Sequence, residues 1–138
     1  MSAGTVLDVG ANHGDFALAV ARRCPDVRVI AVEPIPELCE LILGRAREAG
    51  AQNLEVMQLA IADDSGKAEF NVSRHADAGI SSLFEFDRTR VGVDEYWKTR
   101  SDMYFDERIT VEVDTLENCL RHCDVEAVDF MKIDTQGN

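Results

Sequence analysis

Thr5-Val6-Leu7-Asp8-Val9-Gly10-Ala11-Asn12-His13-Gly14-Asp15-Phe16 decides the fold. Val6 to Val9 is a short apolar run broken only by Asp8. Gly10 and Gly14 then bracket a turn, and a helical pattern begins at once. A buried parallel strand that feeds a glycine turn and a helix opens a nucleotide-binding βαβ unit. Glycines in such a turn let the backbone pass close to a ligand with no Cβ in the way. The helix start then directs its free N–H groups back toward that ligand.

Working outward, Asp15 to Cys24 carries Phe16, Ala17, Ala19, Val20 and Ala21, a small-residue face suited to close packing on a sheet. Arg22 and Arg23 suit the helix dipole, and Cys24-Pro25 stops the helix. Val27 to Val32, rich in β-branched residues, predicts a second strand ending at Glu33-Pro34. Pro36 to Ala49 keeps helical spacing through Leu38, Leu41, Ile42 and Ala46, with Gly50 as a C-cap. Leu54 to Leu59 predicts a third strand, completing the half-sheet of a doubly wound α/β fold.

The rhythm then changes. Asp63 to Gly66 is a turn, and Ala68, Phe70 and Val72 alternate with polar residues, as do Ile109, Val111 and Val113. Period-2 alternation predicts half-exposed, antiparallel strands, here within an insertion over residues 67–113. Ser73 to Glu107 between them is long, polar and aromatic, as a lid or binding segment is. Thr115 to Cys123 reads as a helix capped by Thr115 or Asp114. Val128 to Asp134 reads as a final apolar strand, giving an expected order 3-2-1-4 with the antiparallel insertion beside it.

Composition narrows the function. A length of 138 residues fits a single domain with a sizeable core. The net charge of −12, from 26 acids and 14 bases, repels a phosphate backbone, so no nucleic-acid partner is expected. The pairs Arg22-Arg23 and Arg45 with Arg47 read as solvated helix faces. No run resembles a signal peptide or approaches the roughly 20 apolar residues of a membrane span, so a cytoplasmic protein with no membrane partner is expected. Cys24, Cys39, Cys119 and Cys123 form no CxxC pair and read as reduced, buried thiols. Cys119 and Cys123 flank His122, but no further ligands complete a metal site, so no metal is expected.

The turn also discriminates between ligands. A dinucleotide turn needs Gly-x-Gly-x-x-Gly, and Asn12 stands where the middle glycine belongs. Asp8 adds negative charge where phosphates are disfavoured. It suits an ammonium or sulfonium ligand such as S-adenosylmethionine. Glu33, at the end of the second strand, is placed to accept hydrogen bonds from ribose hydroxyls. Dehydrogenases share that device, so a nicotinamide oxidoreductase stays as an alternative, as does a non-catalytic or truncated cofactor-binding module.

Leu7 to Gly14, Val32-Glu33-Pro34, Ala60 with the Asp63-to-Gly66 turn, Ser81-Ser82-Leu83 and Met131-Lys132-Ile133-Asp134-Thr135-Gln136-Gly137 occur together in order. In this the chain resembles the FkbM-type family of S-adenosylmethionine-dependent methyltransferases. The resemblance implies a Rossmann-like methyltransferase fold and methylation of a hydroxyl oxygen on a small molecule or glycan. It places Asp8, Gly10 and Gly14 at the methionine end of the cofactor, Glu33 at the ribose, and Leu59 and Ala60 beside the adenine, with Asn12 of the turn also among the cofactor-binding residues. Family members carry more chain on both sides of this span. The expectation is therefore a sheet with an open flank: either the chain is a fragment of a longer one, or another chain, as in a homo-oligomer, covers the gap. Asp134 ends the strand adjacent to the first, at the carboxyl edge where ligands bind, and is the leading candidate for the catalytic base. His75, in the lid-like stretch, is the second candidate. Lys132 reads as structural or solvated.

Overall fold

Alternation of apolar runs and amphipathic helices produces the expected sheet. A computed structural model describes residues 4–72 and 107–135. Strand β1 (Thr5–Val9) is buried at all five positions and leads through the glycine turn into α1 (Asp15–Arg23). Then follow β2 (Arg28–Val32), α2 (Pro36–Glu48) and β3 (Leu54–Met57). Pro36 starts α2, where a missing N–H costs nothing, and Gly50 follows its end with φ 67°. After the insertion strands come α3 (Leu116–His122) and the last strand, Phe130–Ile133.

The four parallel strands lie in the order β3-β2-β1 and then the last strand, which is the expected 3-2-1-4 arrangement. Helices α1 and α2 cover one face, where Ala17, Leu18, Ala21, Ile42 and Ala46 meet Val29, Ala31 and Leu54. The small residues of α1 let it approach the sheet closely. On the other face Cys119 and Cys123 of the α3 region pack with Leu7, Val9, Ile30 and Val32.

A second sheet stands beside the first. Strand β4 (Ala60–Ile61) pairs in parallel with β6 (Glu107–Asp114), and β6 pairs antiparallel with β5 (Gly66–Val72). The antiparallel pair is where the alternation placed it; the short parallel β4 is an addition. Phe70, Val72, Val111 and Val113 bury their face against Ile35 and Leu38 at the start of α2. The final strand, β7 (Phe130–Ile133), flanks β1 at the outer edge. Strands β2, β3 and β7 end one or two residues inside the expected limits, while β1, β5 and β6 extend one or two residues beyond the residues that predict them. Past the end of the third strand at Met57 the ladder runs one step further, the Glu33 N–H donating to the Met57 carbonyl and the Leu59 N–H to the Glu33 carbonyl. Cys24 departs from expectation: it is exposed just beyond α1, while the other three cysteines are buried, and all four are free.

Candidate functional site

The carboxyl ends of β1, β2 and β7 meet at the glycine turn. The Gly10 and Ala11 amides both donate to the Val32 carbonyl at 2.9 and 3.0 Å, and the Gly14 amide donates to the Ala11 carbonyl at 2.8 Å. Asn12, at φ 56°, donates its amide to Glu33 Oε2 at 2.8 Å. Four turn amides therefore already have protein acceptors. These amides belong to the turn itself and precede α1, whose first-turn N–H groups carry the expectation. The glycines too answer to the protein. A Cβ on Gly10 (φ 77°) would collide with the Asp134 carbonyl, and one on Gly14 (φ 83°) would press on Ile42. Both residues also occupy the left-handed region, which a side chain disfavours.

Glu33 locks the β2 end. It is only 4% exposed, and its two oxygens accept from the Asn12 amide (2.8 Å) and the Ile35 amide (3.1 Å). Burial pushes its carboxyl up to about 7, against the pull of those two amides. Each oxygen retains a lone pair for a further donor.

Asp8 lies wholly buried on β1, beneath the first turn of α1. Burial raises its pKa, and the nearby Lys132 opposes that rise. Lys132 Nζ stands 3.4 Å from Oδ1, while Oδ2 has no hydrogen-bond partner among the described residues. The Ala17 amide also favours the charged form, though more weakly than the lysine. Asn12 Oδ1 is a second buried acceptor with no hydrogen-bond partner among the described residues. Two unsatisfied acceptors in one turn invite a donor from outside the turn.

Lys132 is the neighbour that sequence reading missed. Parallel register sets it directly beside Asp8, so both project toward α1. Its ammonium also lies 3.8 Å from Asp134 Oδ2 and 5.7 Å from the centre of the Phe16 ring, which itself meets Phe130 at 5.9 Å. Asp134 follows β7, its side chain largely exposed and its amide bonded to the Val9 carbonyl. Arg45 was missed as well. It is no simple solvated residue, since it donates to the His13 carbonyl (2.7 Å) and to Asp15 (2.8 Å), tying α2 to the turn. Sequence spacing gives no cue to this contact, which depends on how the two helices pack.

The remaining candidates separate. Leu59 sits in the core beneath α3 and Ala60 in the core of the second sheet, both buried beside the end of β3. His75, Ser81, Ser82, Tyr96, Trp97 and Tyr104 lie outside the described residues. Cys119 and Cys123 are core thiols; burial pushes Cys119 up to about 11. Cys123 touches the Met57 sulfur at 3.4 Å, and no metal-ligand cluster occurs among the described residues. No helix of the described residues is long and apolar enough to cross a membrane.

A glycine turn at the carboxyl edge of a 3-2-1-4 parallel sheet, with acids ending two strands, defines a Rossmann-like cofactor-binding domain. The family model described as Methyltransferase FkbM domain matches residues 8–138, and the chain belongs to that family of S-adenosylmethionine-dependent methyltransferases. It is 28% identical to the AMB antimetabolite synthetase AmbE of Pseudomonas aeruginosa, over 95% of this chain and 7% of that protein. It is 25% identical to the methyltransferase sdnD of Sordaria araneosa, over 96% of this chain and 56% of that one. The chain thus spans little more than half of one of these curated relatives and a small part of the other. Among solved structures, coclaurine N-methyltransferase is 26% identical with a TM-score of 0.40, over 46% of this chain and 23% of that chain. The YcgJ protein of Bacillus subtilis is 33% identical with a TM-score of 0.36, over 41% and 23%.

Proposed function

We propose that this chain is the cofactor-binding core of a methyltransferase that acts on a hydroxyl oxygen of a small molecule or sugar. The observation that carries the reading is Asp8: a wholly buried carboxylate whose Oδ2 lacks a hydrogen-bond partner among the described residues, on the strand that opens the turn. A cationic donor satisfies such a group, whereas a diphosphate does not. The spent amides of Gly10, Ala11, Asn12 and Gly14 count against a phosphate cradle as well. The donor set therefore fits S-adenosylmethionine. Asp8 and Asn12 would take its methionine end, Glu33 its ribose hydroxyls, and Leu59 and Ala60 its adenine, while Gly10 and Gly14 keep the turn's shape.

When bound, that cofactor supplies an electrophilic methyl group on a sulfonium. The protein's share is to hold the acceptor in line, exclude water and receive a proton. Asp134 suits the role of proton acceptor, because it follows the end of β7 and its side chain is open to solvent. In this reading the acceptor hydroxyl would give its proton to an Asp134 oxygen as its own oxygen took the methyl, and the methyl–sulfur bond would break to leave the uncharged thioether S-adenosylhomocysteine. The antimetabolite synthetase among the relatives supports a small-molecule acceptor, and by its length a domain that works inside a larger enzyme.

The test is calorimetry on this chain with S-adenosylhomocysteine and with NAD. Binding of the first and not the second is expected. Tighter binding of NAD would return the chain to the dinucleotide class. Cofactor binding with no transfer to any hydroxyl acceptor would favour the non-catalytic module.

A further inference from the structure

Asp8 is completely enclosed, so a ligand reaches it only if something moves. The cation beside it is Lys132, whose side chain is 35% exposed. Its ammonium lies between two carboxylates, 3.4 Å from Asp8 and 3.8 Å from Asp134, with the Phe16 ring beside it. Both contacts are longer than a tight ion pair, and the two acids differ sharply in exposure. Resting on phenylalanine and on an exposed acid, the ammonium can leave Asp8 without being stranded.

We infer that Lys132 is a positioning residue that serves as the internal counter-ion of Asp8 and sets how strongly the site prefers the cationic methyl donor over its uncharged-sulfur product. The inference rests on the cofactor reading above. A positive ligand group and the lysine ammonium compete for one carboxylate. The ligand's arrival shifts Lys132 toward Asp134, leaving a positive charge close to the site. That residual charge disfavours the donor, which carries a sulfonium, more than the product, which does not. Removing it should favour the donor relative to the product.

Binding constants for S-adenosylmethionine and S-adenosylhomocysteine, measured by calorimetry on wild type, Lys132→Met and Lys132→Arg, test this directly. The ratio of affinities should shift toward S-adenosylmethionine by roughly tenfold in Lys132→Met, the size of one unit charge several ångströms away at a partly exposed site. Lys132→Arg should restore the wild-type ratio. Sinefungin, which carries an ammonium in place of the sulfonium, should follow the donor and not the product. If Lys132→Met does not fold, Lys132→Gln removes the same charge while keeping a polar end. Both ligands changing by the same factor, or an unchanged ratio, overturns the role given to Lys132. Failure of wild type to bind either ligand overturns the cofactor reading instead, and this inference with it.

Discussion

The two acid-bearing strand ends, at β2 and at β7, are built from the same parallel ladder and differ in almost everything else. Strand β2 has neighbours on both sides and helices over both faces, and Val29, Ile30 and Val32 are fully buried. Its acid, Glu33, holds two backbone amides and is held by them. Among the described residues, strand β7 has β1 as its one strand neighbour. Phe130 is 54% and Ile133 61% exposed, and its acid, Asp134, faces solvent beside a lysine. A rigid, enclosed carboxylate suits binding of something held the same way each time. An open one suits exchange of protons and partners. In the proposed reading, the closed end holds the cofactor and the open end faces the methyl acceptor.

The largest test strikes where the two ends touch. Gly10→Ala forces a methyl against the Asp134 carbonyl at φ 77° and should destabilise the fold by about 2–5 kcal/mol in urea melts. Gly50→Ala, at φ 67° but with open space around it, should cost only about 1–2 kcal/mol. Equal costs would show that the two ends are not pressed together at Gly10.

Next comes the pH dependence of the closed end. Glu33 has a folded pKa of about 7 against an ordinary value of 4.5. Between those values the unfolded chain has lost a proton that the folded chain still holds. Stability from this group is therefore full below about pH 4.5, falls as pH rises through 7, and then levels, on the order of 3 kcal/mol in all. Thermal melts of wild type and Glu33→Gln across pH 5 to 8 should diverge in that sense; parallel curves would mean that Glu33 is ionised at no cost.

A smaller effect concerns the ligand. Glu33→Ala should weaken S-adenosylhomocysteine binding by about 1–3 kcal/mol in calorimetry, through the loss of a carboxylate acceptor. The smallest expected change sharpens the contrast from the open side. Asp134→Asn should leave that affinity within about 0.5 kcal/mol while slowing turnover, as expected of a base away from the cofactor's anchors. A collapse of cofactor binding in Asp134→Asn would erase the division between the ends.

The legible parts of the sequence were those whose signal is local. The apolar runs at Val6–Val9 and Val27–Val32, the small-residue face of α1 and the Pro36 and Gly50 punctuation placed the closed end and its order. The alternation at Ala68–Val72 and Ile109–Val113 placed β5 and β6. What escaped depends on pairing across distance. Strand β4 is two residues long and exists through its partner β6, so Ala60–Ile61 carries no pattern of its own. Lys132 reads as structural or solvated, and its position opposite Asp8 follows from register, not from spacing. Glu33 and Asp8 were found as acids on strands that lead to the turn. That Glu33 binds the Asn12 and Ile35 amides, and that Asp8 keeps an oxygen with no hydrogen-bond partner among the described residues, follows only from how the chain closes around the turn.

The contact between Gly10 and the Asp134 carbonyl joins two points far apart in the chain with no room for a single added carbon. Such a seam acts as a fixed spacer, since a peptide group cannot be compressed. In a homologue or a redesign, the gap between the glycine turn and the acid that follows β7 is therefore retuned by the side chains around it, while the seam itself stays one glycine wide.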